Sequence, residues 1–122
     1  PETFDREAEG HNALCGDKVH VYLRLQADTL ADVAYEASGC AISLASASMM
    51  SDAVAGKSVP AAHQTIDELM SGLSGPQPGK LHGELAALGG VRDYPSRIRC
   101  ATLPWQTLRA ALDAVEETVT TE

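Results

Sequence analysis

The sequence predicts an α+β domain: a small antiparallel sheet covered on one face by helices. Three observations carry that expectation. Val19, Val21, Leu23 and Leu25 alternate with Lys18, His20, Tyr22, Arg24 and Gln26, the period of a half-buried strand. After residue 40 the period lengthens, and Ile42, Ala45, Met49, Met50 and Ala53 are spaced as one helix face. Near the C-terminus Ile98, Ala101, Trp105, Leu108, Leu112, Val115 and Val119 keep steps of three and four, a sustained helical stripe. Strands first and helices after is the order of an α+β chain.

Taken in turn, residues 1–11 are polar and charged and read as an extended or loosely ordered arm. The strand from Val19 ends near Gln26, where QADT reads as a turn with Asp28 as its turn residue. Ala31, Val33, Tyr35 and Ala37 alternate again, which completes an antiparallel hairpin. The first helix is mostly Ala and Ser, so it can pack very close to a neighbour, and Gly56 ends it. Ser58 with Pro60 starts a second helix, whose buried face is Ile66, Leu69, Met70 and Leu73. SGPQPGK is a loop. Leu81, Leu85, Ala86 and Leu88 suggest a short helix ended by Gly89 and Gly90. In the last helix Pro104 cannot donate to the carbonyl of Cys100, so that helix is expected to kink over residues 100–104 or to start afresh at Leu103. Residues 1–122 read as a single domain, with residues 1–10 as a polar arm.

Composition narrows the function classes. The net charge is −8, which argues against nucleic acid as a ligand, because phosphate binding needs a basic surface. The few aromatic residues offer no evident platform for stacking bases. The longest apolar run, CAISLASASMM, is too short and too serine-rich to span a bilayer. Three cysteines are an odd number, unlike a secreted disulfide framework. The expectation is a cytoplasmic protein with free thiols and no membrane association.

Those thiols fall at junctions: Cys15 before a strand, Cys40 between strand and helix, and Cys100 near the start of the last helix. Asp17 adds a carboxylate two residues after Cys15. Junctions bring side chains from different elements to one end of a sheet, and helix N-termini favour thiolate. Three thiols and a carboxylate suit zinc or an iron–sulfur cluster. Spacing alone does not require this. There is no C-x-x-C pair, a free cysteine usually behaves as a small buried hydrophobe, and Asp17 alone reads as a turn residue or helix cap sooner than as a ligand, so spacing by itself favours the structural reading. His11, His20, His63 and His82 show no paired metal spacing, and His20 is expected to be exposed.

The stretches HNALCGDKVHVYLRL, GCAISLASASMM and YPSRIRCATLPW resemble the three cysteine motifs of the IscU/NifU-type iron–sulfur assembly family. The long segment between Cys40 and Cys100, and Arg99 where the IscU branch has histidine, resemble the SufU branch. The resemblance implies that Cys15, Asp17, Cys40 and Cys100 hold Zn²⁺; Arg97, close to Cys100 in sequence, is expected to steady Asp17 or an incoming persulfide. It further implies persulfide sulfur accepted from a SufS-like cysteine desulfurase and passed to downstream iron–sulfur assembly proteins; Cys15, which shares a glycine-containing loop with Asp17, is the expected acceptor, with Cys100 as the second choice. The IscU-like alternative is a scaffold building a transient [2Fe-2S] cluster on the same cysteines. The sequence departs from the family pattern at Ala13, where proline is usual, and at Pro104 and Gln106, commonly Ala and His. The family's amphipathic N-terminal helix is expected to be absent.

Overall fold

The computed structural model describes residues 4–12, 16–74, 95–113 and 119–120. Three strands form an antiparallel meander: β1 (Arg6–Asn12), β2 (Asp17–Gln26) and β3 (Thr29–Ser38). Helices α1 (Ala41–Val54), α2 (Val59–Ser74) and α3 (Pro95–Leu112) follow, and a two-residue strand, β4 (Val119–Thr120), closes the order. The sheet order is β3-β2-β1-β4, with β4 parallel to β1. The α+β class therefore holds, with one short parallel pairing added.

Residues 6–12 are not a loose arm but a full strand of the sheet. Its inward residues are Ala8, Gly10 and Asn12, too small or too polar to announce a half-buried strand by hydrophobic alternation. Smallness is what the packing demands here. A Cβ on Gly10 would lie 2.2 Å from Thr107 Oγ1 and 3.0 Å from Leu103 Cδ1, so only glycine lets β1 lie this close to α3.

Helix α3 is the centre of the molecule, packed against β1, β2, α1 and α2. Ala101, Leu103, Trp105, Leu108 and Ala111 are all fully buried in the core, as in a helix covered on nearly every side. It runs through Pro104 as one helix from Pro95, so the fresh start at Leu103 does not occur. The stripe ends at Leu112: Val119 belongs to β4, and Val115 lies outside the described residues.

Helix α1 turns a different face inward from the one its apolar spacing suggests. Ser43, Ser46, Ala47, Met50 and Val54 are buried, whereas Ala45 is exposed and Ile42, Met49 and Ala53 pack at the core's edge. Small inward residues let α1 approach α3, and the hydroxyl of Ser46 is used rather than merely tolerated. It donates to the Ala101 carbonyl at 2.5 Å and accepts from Trp105 Nε1 at 3.0 Å. A buried hydroxyl without such partners would cost about 1–3 kcal/mol.

Gly56 ends α1 at φ 81°, and Ser58 Oγ caps α2 by accepting from the Ala61 N–H at 3.2 Å. Ala62, Ile66 and Leu69 form the fully buried face of α2; the side chain of Leu73, the loop from residue 75 and the short helix expected at Leu81–Leu88 lie outside the described residues. The α1–α2 connection is sewn to the hairpin turn by Leu30 N–H to Lys57 O, Gly56 N–H to Leu30 O and Val59 N–H to Asp28 O, at 2.8, 2.9 and 2.8 Å. Among the described residues no helix is long and apolar enough to cross a membrane.

In the hairpin turn the strain falls on Ala27, at φ 56°, rather than on Asp28. A left-handed conformation costs a residue with a Cβ about 1 kcal/mol or more. Ala27→Gly is therefore expected to raise stability by about 0.5–1 kcal/mol, after the entropy that glycine adds to the unfolded chain. Urea unfolding followed by circular dichroism measures it, and an unchanged or lower midpoint would contradict the account of the turn.

Candidate metal centre

Asp17 is the first residue of β2 and lies on its inward face with Val19, Val21 and Leu23, so the alternation that builds the core also buries this carboxylate. Gly39 then turns the chain out of β3 at φ 127°, and Cys40 follows as the N-cap residue of α1. Cys100 lies in α3 and is fully buried, while Cys40 is half-buried. One ligand atom each from Asp17, Cys40 and Cys100 lie within 4.8 Å of one another. Three residues far apart in sequence thus meet at one end of the sheet. Cys15 and its placement lie outside the described residues. Arg97 lies in α3 three residues before Cys100, and its side chain too is outside the description.

The carboxylate of Asp17 is held by both oxygens. Oδ1 accepts from the Cys40 N–H at 2.7 Å, and the Cys40 thiol donates to Oδ2 at 3.6 Å. Helix α1 has no acidic residue in its first turn and no side-chain cap of its own. Asp17 therefore places the negative charge at the positive end of this helix from a distant strand. Gly39 makes that approach possible: a Cβ there would lie 2.2 Å from Asp17 Oδ1 and 2.7 Å from Asp17 Cα. On the other thiol, Asn12 Nδ2 donates to Cys100 Sγ at 3.9 Å. Ser43 Oγ, three residues beyond Cys40, is buried with no hydrogen-bond partner among the described residues.

Two thiols and a carboxylate within this radius make a donor set that fits zinc and equally an iron–sulfur cluster. Sequence reasoning did not reach Asn12 or Gly39. Gly39 had a local signal in its place at a strand-to-helix junction. Asn12 had none, because the strand that positions it was read as an arm.

The opposite face of the sheet is polar and does not share this chemistry. An open hollow of about 700 Å³ there is lined in part by Glu9, His11, Lys18, His20 and Glu36. His20, expected to be exposed, is half-buried between Glu7 (3.2 Å) and Glu9 (3.0 Å) and stacks on Tyr22. Partial burial and then the carboxylates of Glu36, Glu7 and Glu9 push the Tyr22 phenol above its ordinary range.

The Gly39 contact gives a direct test of the centre's geometry. Gly39→Ala is expected to displace Asp17 and to weaken zinc binding by about tenfold or more, with the sheet retained in far-UV circular dichroism. Competition against a chromophoric chelator measures the affinity; wild-type affinity in a folded variant would mean that Asp17 does not need this approach.

Residues 2–101 match the NifU-like N terminal domain family. The chain is 40% identical over 105 residues to the iron-sulfur cluster assembly scaffold protein IscU of Streptococcus pyogenes serotype M1, covering 84% of this chain and 65% of that protein. It is 39% identical over 101 residues to the zinc-dependent sulfurtransferase SufU of Bacillus subtilis, covering 80% and 68%. Among solved structures, the nitrogen-fixing NifU-like protein (N-terminal) of Brucella abortus superposes with a TM-score of 0.82 at 28% identity, over 93% of this chain and 80% of that one. Motifs, fold and these likenesses agree: the chain belongs to the NifU-like N-terminal domain family of iron–sulfur cluster assembly proteins.

Proposed function

We propose that this protein is a zinc-dependent sulfur acceptor in iron–sulfur cluster assembly, loaded by a SufS-like cysteine desulfurase. The observation that carries the reading is the convergence of Asp17, Cys40 and Cys100 within 4.8 Å; Cys15 is the fourth ligand this reading assigns. Zinc held there would keep the thiols deprotonated at neutral pH. The likeness to a zinc-dependent sulfurtransferase at 39% identity supports the same choice.

Cys15 is the acceptor. Its thiolate attacks the outer sulfur of the desulfurase's cysteine persulfide. A sulfur–sulfur bond to Cys15 forms as the old one breaks, and the electron pair leaves with the desulfurase cysteine as thiolate. No external oxidant or reductant is needed. The other two thiols are worse placed for this. Cys100 is fully buried in the central helix, and the backbone of Cys40 is bonded to Asp17. Cys15 stands in the link between β1 and β2, next to Gly16, which is exposed and at φ 72° with open space around it. Arg97, three residues ahead of Cys100, would offset the charge of Asp17 or of the arriving persulfide. Downstream assembly proteins then take the sulfur.

The same donor set supports one other reading, a scaffold for a transient 2Fe–2S cluster, and a relative at 40% identity is named as a scaffold. Protein purified without oxygen distinguishes them: about one zinc per chain and no colour for the acceptor, iron and acid-labile sulfide for the scaffold.

Cys15→Ser is expected to abolish transfer of radiolabelled sulfur from cysteine in the presence of the desulfurase, while the domain still folds, since serine is not ionised at neutral pH. Loss of label in Cys100→Ser together with its retention in Cys15→Ser would move the chemistry to the third motif. Label retained in both variants would sink the acceptor role.

A further inference from the structure

We infer that Asn12 is a positioning residue of this centre: its side-chain amide fixes the Cys100 sulfur and so makes Cys100 the ligand that stays. The inference rests on the reading that the site binds a metal, and it adds the division of labour among the thiols.

Asn12 is the last residue of β1, on the inward face, and fully buried. It stands directly across from Asp17 in the β1–β2 register. Neighbouring strands therefore bring an amide and a carboxylate side by side over the N-terminal parts of two helices. Each polar side chain reaches a different thiol. Asp17 engages Cys40 through the backbone N–H and Sγ, and Asn12 donates Nδ2 to Cys100 Sγ. An amide in a fully buried position costs about 1–3 kcal/mol if it is left unpaired, and an apolar residue would fill the space without that cost.

The two partners differ in kind. An ionised carboxylate only accepts hydrogen bonds, whereas an amide N–H donates. A donor aimed at sulfur remains favourable when that sulfur is a metal-bound thiolate, where it orients the ligand and draws off part of its charge. Such outer hydrogen bonds typically contribute 10- to 100-fold in metal affinity. Cys100 has this support, from a strand that is itself held against α3 by the Gly10 contact.

The test is a double-mutant cycle on the full chain, with zinc affinity read by competition against a chromophoric chelator and no desulfurase present. Asn12→Leu is expected to weaken zinc about 10- to 100-fold. In a Cys100→Ser background the same substitution should change affinity less than about twofold, and in a Cys40→Ser background it should keep its full effect. With cobalt(II) in place of zinc, Asn12→Leu should shift the thiolate-to-cobalt absorption to longer wavelength, because the sulfur keeps more charge. Unchanged affinity in Asn12→Leu, an unchanged cobalt spectrum, or an effect that persists in Cys100→Ser would overturn the inference. If circular dichroism shows that Asn12→Leu does not fold, Asn12→Ala is put through the same cycle and decides. Tight zinc in wild type with no coupling to Asn12 overturns this inference alone; a wild-type chain that takes no zinc overturns the metal reading with it.

Discussion

The bond from the Cys40 N–H to Asp17 Oδ1, 2.7 Å long, is the contact on which the site's geometry depends. It joins the start of the second strand to the start of the first helix, and it crosses the only kind of residue that leaves room for it, a glycine at φ 127°. Hydrogen bonds with an ionised acceptor are among the stronger ones, and this one also sets a negative charge at a helix N-terminus. The need for a carboxylate, rather than a further cysteine, follows from its two oxygens. One serves the backbone and the fold, and the other remains directed at the thiols.

The two ends of the sheet are specialised accordingly. At the hairpin end Leu30, Gly56, Lys57 and Val59 exchange backbone hydrogen bonds, and the strands are tied to the α1–α2 connection without any reactive side chain. At the other end Asn12, Asp17, Cys40 and Cys100 come together, each the product of a different element. Between the two ends lies the apolar layer of Val19, Val21, Leu23, Leu30, Ile66, Leu69 and Leu108. Burial of such side chains, at roughly 1.5–3 kcal/mol each, lets the thiol end hold polar groups in the interior.

Much of this was legible in the sequence where periodicity was strong. The β2–β3 hairpin, the start of α2 at Ser58 and the stripe of α3 through Leu112 follow from spacing alone. The strand β1 was not legible, because Gly10 and Asn12 stand where a strand usually shows apolar residues. Helix α1 was assigned correctly as a helix, with Met50 buried as expected, but Ser43 and Ser46 lie inside while Ala45 is exposed, because buried serines count as polar in any hydrophobic pattern. Of the two outcomes expected at Pro104, the fresh start does not occur, because tertiary packing carries α3 through a residue that would end an isolated helix. The ligand set came from the resemblance, and spacing could not supply it, since convergence of Asp17, Cys40 and Cys100 depends on how two helices pack.

That packing also decides how the two described thiols can behave. Cys40 caps the N-terminus of α1 and Cys100 lies in α3, so their separation depends on the α1–α3 contact as well as on the Cys40–Asp17 bond. Ser46 fixes this contact by bonding at once to the Ala101 carbonyl and the Trp105 indole, one residue and five residues beyond Cys100. A serine that bridges two turns of the neighbouring helix resists both sliding and rotation, because either motion would strand a buried polar group at a cost of about 1–3 kcal/mol. The pair is accordingly a rigid two-thiol edge to which a further ligand can attach and from which it can leave. Sulfur transfer needs such asymmetry: some donors must hold position while one departs and returns. In the acceptor reading proposed above, Cys100, fully buried in α3, is a donor that holds position, and the departing one would be Cys15.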